Sequence, residues 1–207
     1  HTSYIQNLFY SFLQNVNTLS ENLMFIKHYN TLDLSLEKLE KIVCDEYKNG
    51  LLYHGFSKNV IKEPYEPFMS GIRYYYQKFY SKDLSVEEFI DECDIYSLHK
   101  QIFETYIKTG KATRFEMLII AESKFEKDRF IDSIINTLDY ISRTKKILIV
   151  LNNFQYSSIT TIDILERMIN NSEFSNVKIM IVYSELQQPL SYIENKYMKV
   201  IECAEEK

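Results

Sequence analysis

The sequence predicts an α/β fold whose mainly parallel, doubly wound sheet of about five strands carries helices on both faces. Three observations predict it. The apolar runs Ile147–Leu151 and Val177–Tyr183 lack the alternation of a half-solvated strand, so they read as strands buried on both faces. Amphipathic stretches of helical period lie between such runs. Strands and helices then alternate along the chain, as they do where helical crossovers join parallel strands.

Residues 4–19 place Ile5, Leu8, Phe9, Phe12, Leu13 and Val16 at helical intervals. Leu23–Ile26 is a short apolar strand. Leu36, Leu39, Ile42, Val43 and Tyr47 mark one face of a single helix, started by Asp33 or Ser35 and stopped at Asn49-Gly50. Leu51–Phe56 is a second strand, which completes a βαβ-sized unit. Pro64 and Pro67 hold the loop 58–67, after which Phe68, Ile72, Tyr75, Tyr76 and Phe79 recur at helical steps. Ser85 and Glu88 form a capping box for a further helical region that runs through Ile95, Leu98, Ile102 and Tyr106 to Gly110. Residues 111–127 give a short helix and a loop. Phe130, Ile131, Ile134, Ile135, Leu138 and Ile141 define a strongly amphipathic helix, and Thr160 with Asp163 caps another containing Ile162, Leu165, Met168 and Ile169. Met198–Cys203 is the last strand expected.

Composition narrows the function classes. With 207 residues, 45% hydrophobic and 26% charged, the chain has enough apolar surface for a sizeable core and is not disordered. Its net charge of −5 gives no basic field for nucleic acid or anionic lipid. Cys44, Cys93 and Cys203 lie far apart without ligand spacing and read as reduced thiols. No apolar run is long enough to span a bilayer, and no signal peptide is visible. The chain begins at His1 rather than Met, and the expectation is a piece of a longer cytoplasmic protein. Only 4 glycines are present, which leaves few places for a phosphate-cradling loop.

Three segments carry a resemblance. Arg129–Ile169, RFIDSIINTLDYISRTKKILIVLNNFQYSSITTIDILERMI, is similar to the helix, Walker B strand, loop and following helix of the STAND-class ATPase module, an AAA-like P-loop domain found in large bacterial signalling regulators. Pro64–Arg73, PYEPFMSGIR, resembles the family segment after the second strand, and Val177–Ser184, VKIMIVYS, the strand bearing the family's sensor residue. The resemblance implies a three-layer P-loop NTPase-like domain over residues 1–207, with 81–127 as a helical insertion and a lid beyond Lys207. It also implies where the phosphate loop falls. The family pattern G-x-x-x-x-G-K-[ST] meets His28, Tyr29, Asn30, Thr31, Leu32, Asp33, Leu34 and Ser35, of which Ser35 alone matches.

Those replacements remove the chemistry of phosphate binding. His28 and Asp33 replace the glycines that let backbone N–H groups close on phosphate oxygens. Leu34 replaces the lysine that reaches the β- and γ-phosphates. A carboxylate at Asp33, about 4 Å from a phosphate at an effective dielectric near 20, repels it by roughly 4 kcal/mol, whereas a helix N-terminus attracts by about 1 kcal/mol or less. Repulsion wins. The Walker B strand ends in Asn152 and Asn153 where the family has acids, and an amide neither holds a hard dication nor acts as a base. These ten residues form the vestigial nucleotide pocket expected from the sequence; no catalytic residue, metal ligand or bound cofactor is expected.

Other patterns have simpler readings. Thr109-Gly110-Lys111 lacks the first glycine, Thr105 standing in its place, and reads as a helix C-cap. Arg73–Tyr80 mixes cations with aromatics, but Ile72, Tyr75, Tyr76 and Phe79 share a core face. His28, His54 and His99 have no metal-ligand spacing, and Asp91, Glu92 and Asp94 form a solvated acidic face. No nucleophile elbow or acidic phosphoacceptor pocket is present for a hydrolase or receiver domain. The expected function is a scaffold or interaction module, a pseudo-ATPase whose partners are neighbouring domains of its own polypeptide or further copies of itself. The alternative is a nucleotide-binding switch that holds ATP or ADP in an atypical pocket.

Overall fold

The computed structural model describes residues 6–7, 10–13, 23–28, 34–60, 65–112, 123–170, 176–184 and 200–203. Two compact units emerge: His1–Ile61, Lys145–Ser157 and Ile169–Lys207 form the first, Lys62–Thr144 and Ser158–Met168 the second.

The first unit holds an all-parallel sheet flanked by helices. Its strands are β1 (Leu23–His28), β2 (Leu51–Gly55), β3 (Ile147–Asn152) and β4 (Val177–Ser184), in the order β2-β3-β4-β1. A short segment, β5 (Val200–Cys203), runs parallel to β1 on its far side. Every residue of β3 is buried, which is why it reads as an unbroken apolar run. One sheet face presents Met24, Ile26, Leu148, Val150, Met180 and Val182 to a cluster with Phe12, Leu13, Leu34, Leu39, Ile42, Val43 and Tyr47. Alternate residues Phe25, Ile149, Leu151, Ile179 and Ile181 are equally buried on the other face.

The helix expected over Leu36–Tyr47 is in fact two, α1 (Leu36–Ile42) and α2 (Asp45–Lys48). Val43 and Cys44 between them are extended, with ψ of 139° and 144°. A β-branched residue gives up little by leaving the helix, and Val43 keeps its side chain in the core while Asp45 and Glu46 supply acids to a new first turn. Ser35 caps α1, its Oγ accepting from Lys38 N at 3.2 Å; the other candidate, Asp33, lies outside the described residues.

The second unit is helical: α3 (Phe68–Phe79), α4 (Val86–Glu92), a 3-10 turn at Ser97–His99, α5 (Lys100–Thr109), α6 (Lys124–Ser142) and most of α7 (Ile159–Asn170). The Ser85–Glu88 capping box forms in both directions. The single helical region expected from there to Gly110 breaks at Cys93, and Leu98 is 71% exposed rather than core. Gly110 ends α5 in the left-handed conformation, φ 77°, with its N–H on Tyr106 O at 2.7 Å. Ser123 caps α6, seven residues ahead of the first core residue seen in the sequence pattern, Phe130. Ser158, rather than Thr160 with Asp163, caps α7 by accepting from Thr161 N, and Ile164 replaces Ile162 on its buried face. The expected face of α3 is buried at Ile72, Tyr75 and Tyr76. Phe130 sits at the middle of an aromatic group with Tyr65, His99 and Phe103. Burial pushes the Cys93 thiol up to about 12, so it is an inert core residue rather than a nucleophile.

Gly50 is the tightest point between α2 and the sheet. A Cβ there would lie 1.8 Å from the Lys146 carbonyl oxygen, immediately before β3, while Gly50 O accepts from Leu148 N at 3.1 Å. Both clashing groups are backbone, so neither rotates away. Gly50→Ala is expected to destabilise the protein by about 2 kcal/mol or more, read as a lowered denaturant midpoint at unchanged slope. An unchanged midpoint would mean that β2 and β3 approach less closely than described.

Candidate functional site

In a parallel sheet, ligand sites form beyond the carboxyl ends of the strands, where connections leave in opposite directions. Here the chain leaves β1 towards β2, and leaves β3 the other way, towards the neighbouring β4. The residues after β1 and those at the end of β3 therefore meet over the same part of the sheet edge.

What meets there is a backbone carbonyl and an amide. Leu34 O accepts from Tyr53 Oη at 2.8 Å and from Asn152 Nδ2 at 3.3 Å, a contact between residues 118 positions apart. Asn152 Nδ2 also donates to Tyr53 Oη at 3.3 Å, and Asn152 Oδ1 accepts from Asn153 N at 2.9 Å. Asn152 is 4% exposed, so each of these bonds answers a desolvation cost. Asn153 follows at φ 55°, a left-handed conformation that asparagine tolerates better than most residues.

The orientation of the Asn152 amide is fixed by its partners. Its oxygen faces the Asn153 N–H, so its nitrogen must face the Leu34 carbonyl. An aspartate in the same pose would press an anionic oxygen against that carbonyl. The site is thus built for an amide and against a carboxylate.

Leu34 is 5% exposed and packs in the cluster that holds Met24, Ile26 and Leu39. A lysine whose side chain took this path would bury an ammonium among the apolar side chains of that cluster, at a desolvation cost that none of its described members offsets with a charge. Ser35 Oγ is engaged as the cap of α1. Of the ten residues expected at the pocket, Leu34, Ser35, Asn152 and Asn153 are described and Leu34 is joined directly to Asn152. Tyr29, Asn30, Thr31, Leu32 and Asp33 lie outside the described residues, as does the His28 side chain; the backbone of His28 ends β1 opposite Ser184.

Two further residues complete this edge, and the sequence reading missed both. From sequence, Tyr53 reads only as part of the strand Leu51–Phe56; its signal is a tyrosine whose hydroxyl must find a partner once the ring is half-buried. Gln155, buried on a 3-10 turn at Phe154–Tyr156, accepts from Ser184 N at 3.1 Å and so ties the end of β4 to the segment after β3. Nothing in local periodicity marks it. Among the described residues no three His, Cys, Asp or Glu side chains are grouped to hold a metal. None of the described helices is long and apolar enough to cross a membrane.

No protein-family model matches this chain, no curated protein matches it, and no solved structure matches it.

Two outcomes follow from the geometry. Tyr53→Phe removes one of the two donors to Leu34 O and is expected to cost about 1 kcal/mol, while adding Asn152→Ala costs more than the sum of the single changes, because only then is the carbonyl stranded. Additive effects in a double-mutant cycle would mean the two donors act separately. His54, on β2, packs edge-on to Phe56 at 4.6 Å, and burial lowers its pKa below the ordinary 6.5. Below that value the unfolded chain takes up a proton that the folded one resists, so stability falls as the pH drops from 7 towards 5. His54→Phe should flatten this dependence in chemical unfolding at a series of pH values; an unaltered slope would place its origin elsewhere.

Proposed function

We propose that this chain is a non-catalytic, ATPase-derived regulatory domain, a scaffold or interaction module within a larger cytoplasmic signalling protein. Its five-stranded, P-loop-like sheet would be kept for its shape rather than for nucleotide. The observation that carries this reading is the Asn152–Leu34 hydrogen bond. The resemblance drawn from sequence assigned Leu34 to the position of the phosphate-loop lysine and Asn152 to that of the Walker B acid. Two such positions, far apart in the chain, are expected to converge on one ligand in an ATPase. Here the corresponding groups converge on each other, through a neutral contact that supplies neither the cation for phosphate nor the carboxylate for Mg²⁺.

The strands' ends support the same reading. The last residues of β2, β3 and β4 are Gly55, Asn152 and Ser184, all uncharged, so these three described strand ends offer no fixed charge to set against a triphosphate. Isothermal titration with ATP and with ADP, each with and without Mg²⁺, tests the proposal. No saturable binding is expected up to about 1 mM. A dissociation constant below about 10 μM for either nucleotide would overturn the scaffold reading in favour of a nucleotide-binding switch.

A further inference from the structure

We propose that Arg129, held against the rings of Tyr96 and Phe125, with the exposed Leu98 two residues along the chain from Tyr96, is the centre of a docking surface for a carboxylate-bearing, apolar-flanked segment of a protein partner. The surface lies wholly within the helical unit, so the proposal holds whether or not nucleotide binds the sheet.

The guanidinium carbon of Arg129 sits 4.3 Å from the Tyr96 ring centroid and 3.9 Å from that of Phe125, and Nη1 donates to Tyr96 Oη. The clamp is fixed from behind. Tyr96 N donates to Ser133 Oγ at 3.0 Å, Asn136 Nδ2 donates to Asp94 O at 2.8 Å, and both Ser133 and Asn136 belong to α6, the helix that carries Arg129. Stacking against these rings holds the fork of donors in one orientation, so little rotamer freedom remains to be lost when a carboxylate binds.

Charge supplies the identity of the occupant. The acids along α6 are already engaged: Glu126 with His99, Asp128 and Asp132 with Arg167, Asp139 with Arg143. Arg73 donates to the Ile107 carbonyl. Among the described residues, Arg129, half-buried, meets rings and a hydroxyl but no carboxylate. A partly desolvated guanidinium with free donors is complemented by a carboxylate, which accepts two of them at once. The apolar requirement comes from its neighbours. Phe125 is 61% exposed and Leu98, two residues after Tyr96, is 71% exposed. Arginine among aromatic side chains is the composition of binding hot spots, and exposed apolar side chains around it exclude water once covered.

Selection from a displayed random-peptide library against the full 207-residue chain tests this. The enriched peptides should pair Asp or Glu with Leu, Ile or Phe. Their affinity, measured on synthetic copies, should fall at least about tenfold for Arg129→Gln and for Leu98→Asp, with Arg129→Lys also weakened because an ammonium does not fork. Leu98→Asp alters a side chain that stands in solvent, so it keeps the test decisive if Arg129→Gln fails to fold by circular dichroism. Peptides without carboxylates, no enrichment, or affinity that ignores both substitutions would overturn the proposal. Self-association that Leu98→Asp abolishes would overturn it too, by assigning the patch to a second copy.

Discussion

The Leu34 carbonyl is a polar group at the place where the chain, having left the first strand, turns down into the core. Its side chain is buried, so the backbone at this residue cannot swing outward to find water. A buried carbonyl without a donor costs about 1–3 kcal/mol. Tyr53 and Asn152 remove that cost from two neighbouring strands, and in doing so they fix the end of β3 against the start of α1. The path of the chain over this edge of the sheet depends on that one acceptor.

The arrangement also shows which parts of the fold are legible from sequence and which are not. The strands β3 and β4 were legible because burial on both faces demands continuous apolar residues, whereas β2, with a single buried residue, was legible from its apolar start and the Asn49-Gly50 stop before it. The Ser85–Glu88 box and the Gly110 cap were legible because their chemistry is complete within a few residues. What failed was continuity. Leu36–Tyr47 keeps a helical period in its apolar residues even though Val43 and Cys44 are extended, since the side chains on either side of the break still face the same core. Leu98 continued an apolar period but fell on a turn whose direction is set by Tyr96 and Ser133, contacts no local pattern encodes.

At the candidate site, the identities of Leu34 and Asn152 were readable and their partnership was not. Periodicity reports which face a residue takes; it says nothing about which amide meets which carbonyl across 118 positions. Tyr53 and Gln155 belong to the same category. Each is a polar side chain in a largely apolar context, and each finds its partner only through the sheet order. Tertiary hydrogen bonds of buried polar groups are where sequence reading runs out, because their donors and acceptors are matched by the fold as a whole.

Leu34 and Asn152 constrain each other through that carbonyl. Given Leu34 in the core, the backbone carbonyl at that position is turned towards β3 and needs donors. An aspartate at position 152 would offer it an acceptor instead, and would bury a charge with no cation to pair, since the residue at 34 is apolar. Conversely, a lysine at 34 would have to leave the core to keep its charge in water, and the carbonyl that Asn152 and Tyr53 satisfy would move with it. Each residue makes the other favourable. A lysine at 34 or an aspartate at 152, introduced alone, therefore gives a less stable protein, because each side chain fits only the partner the other now provides.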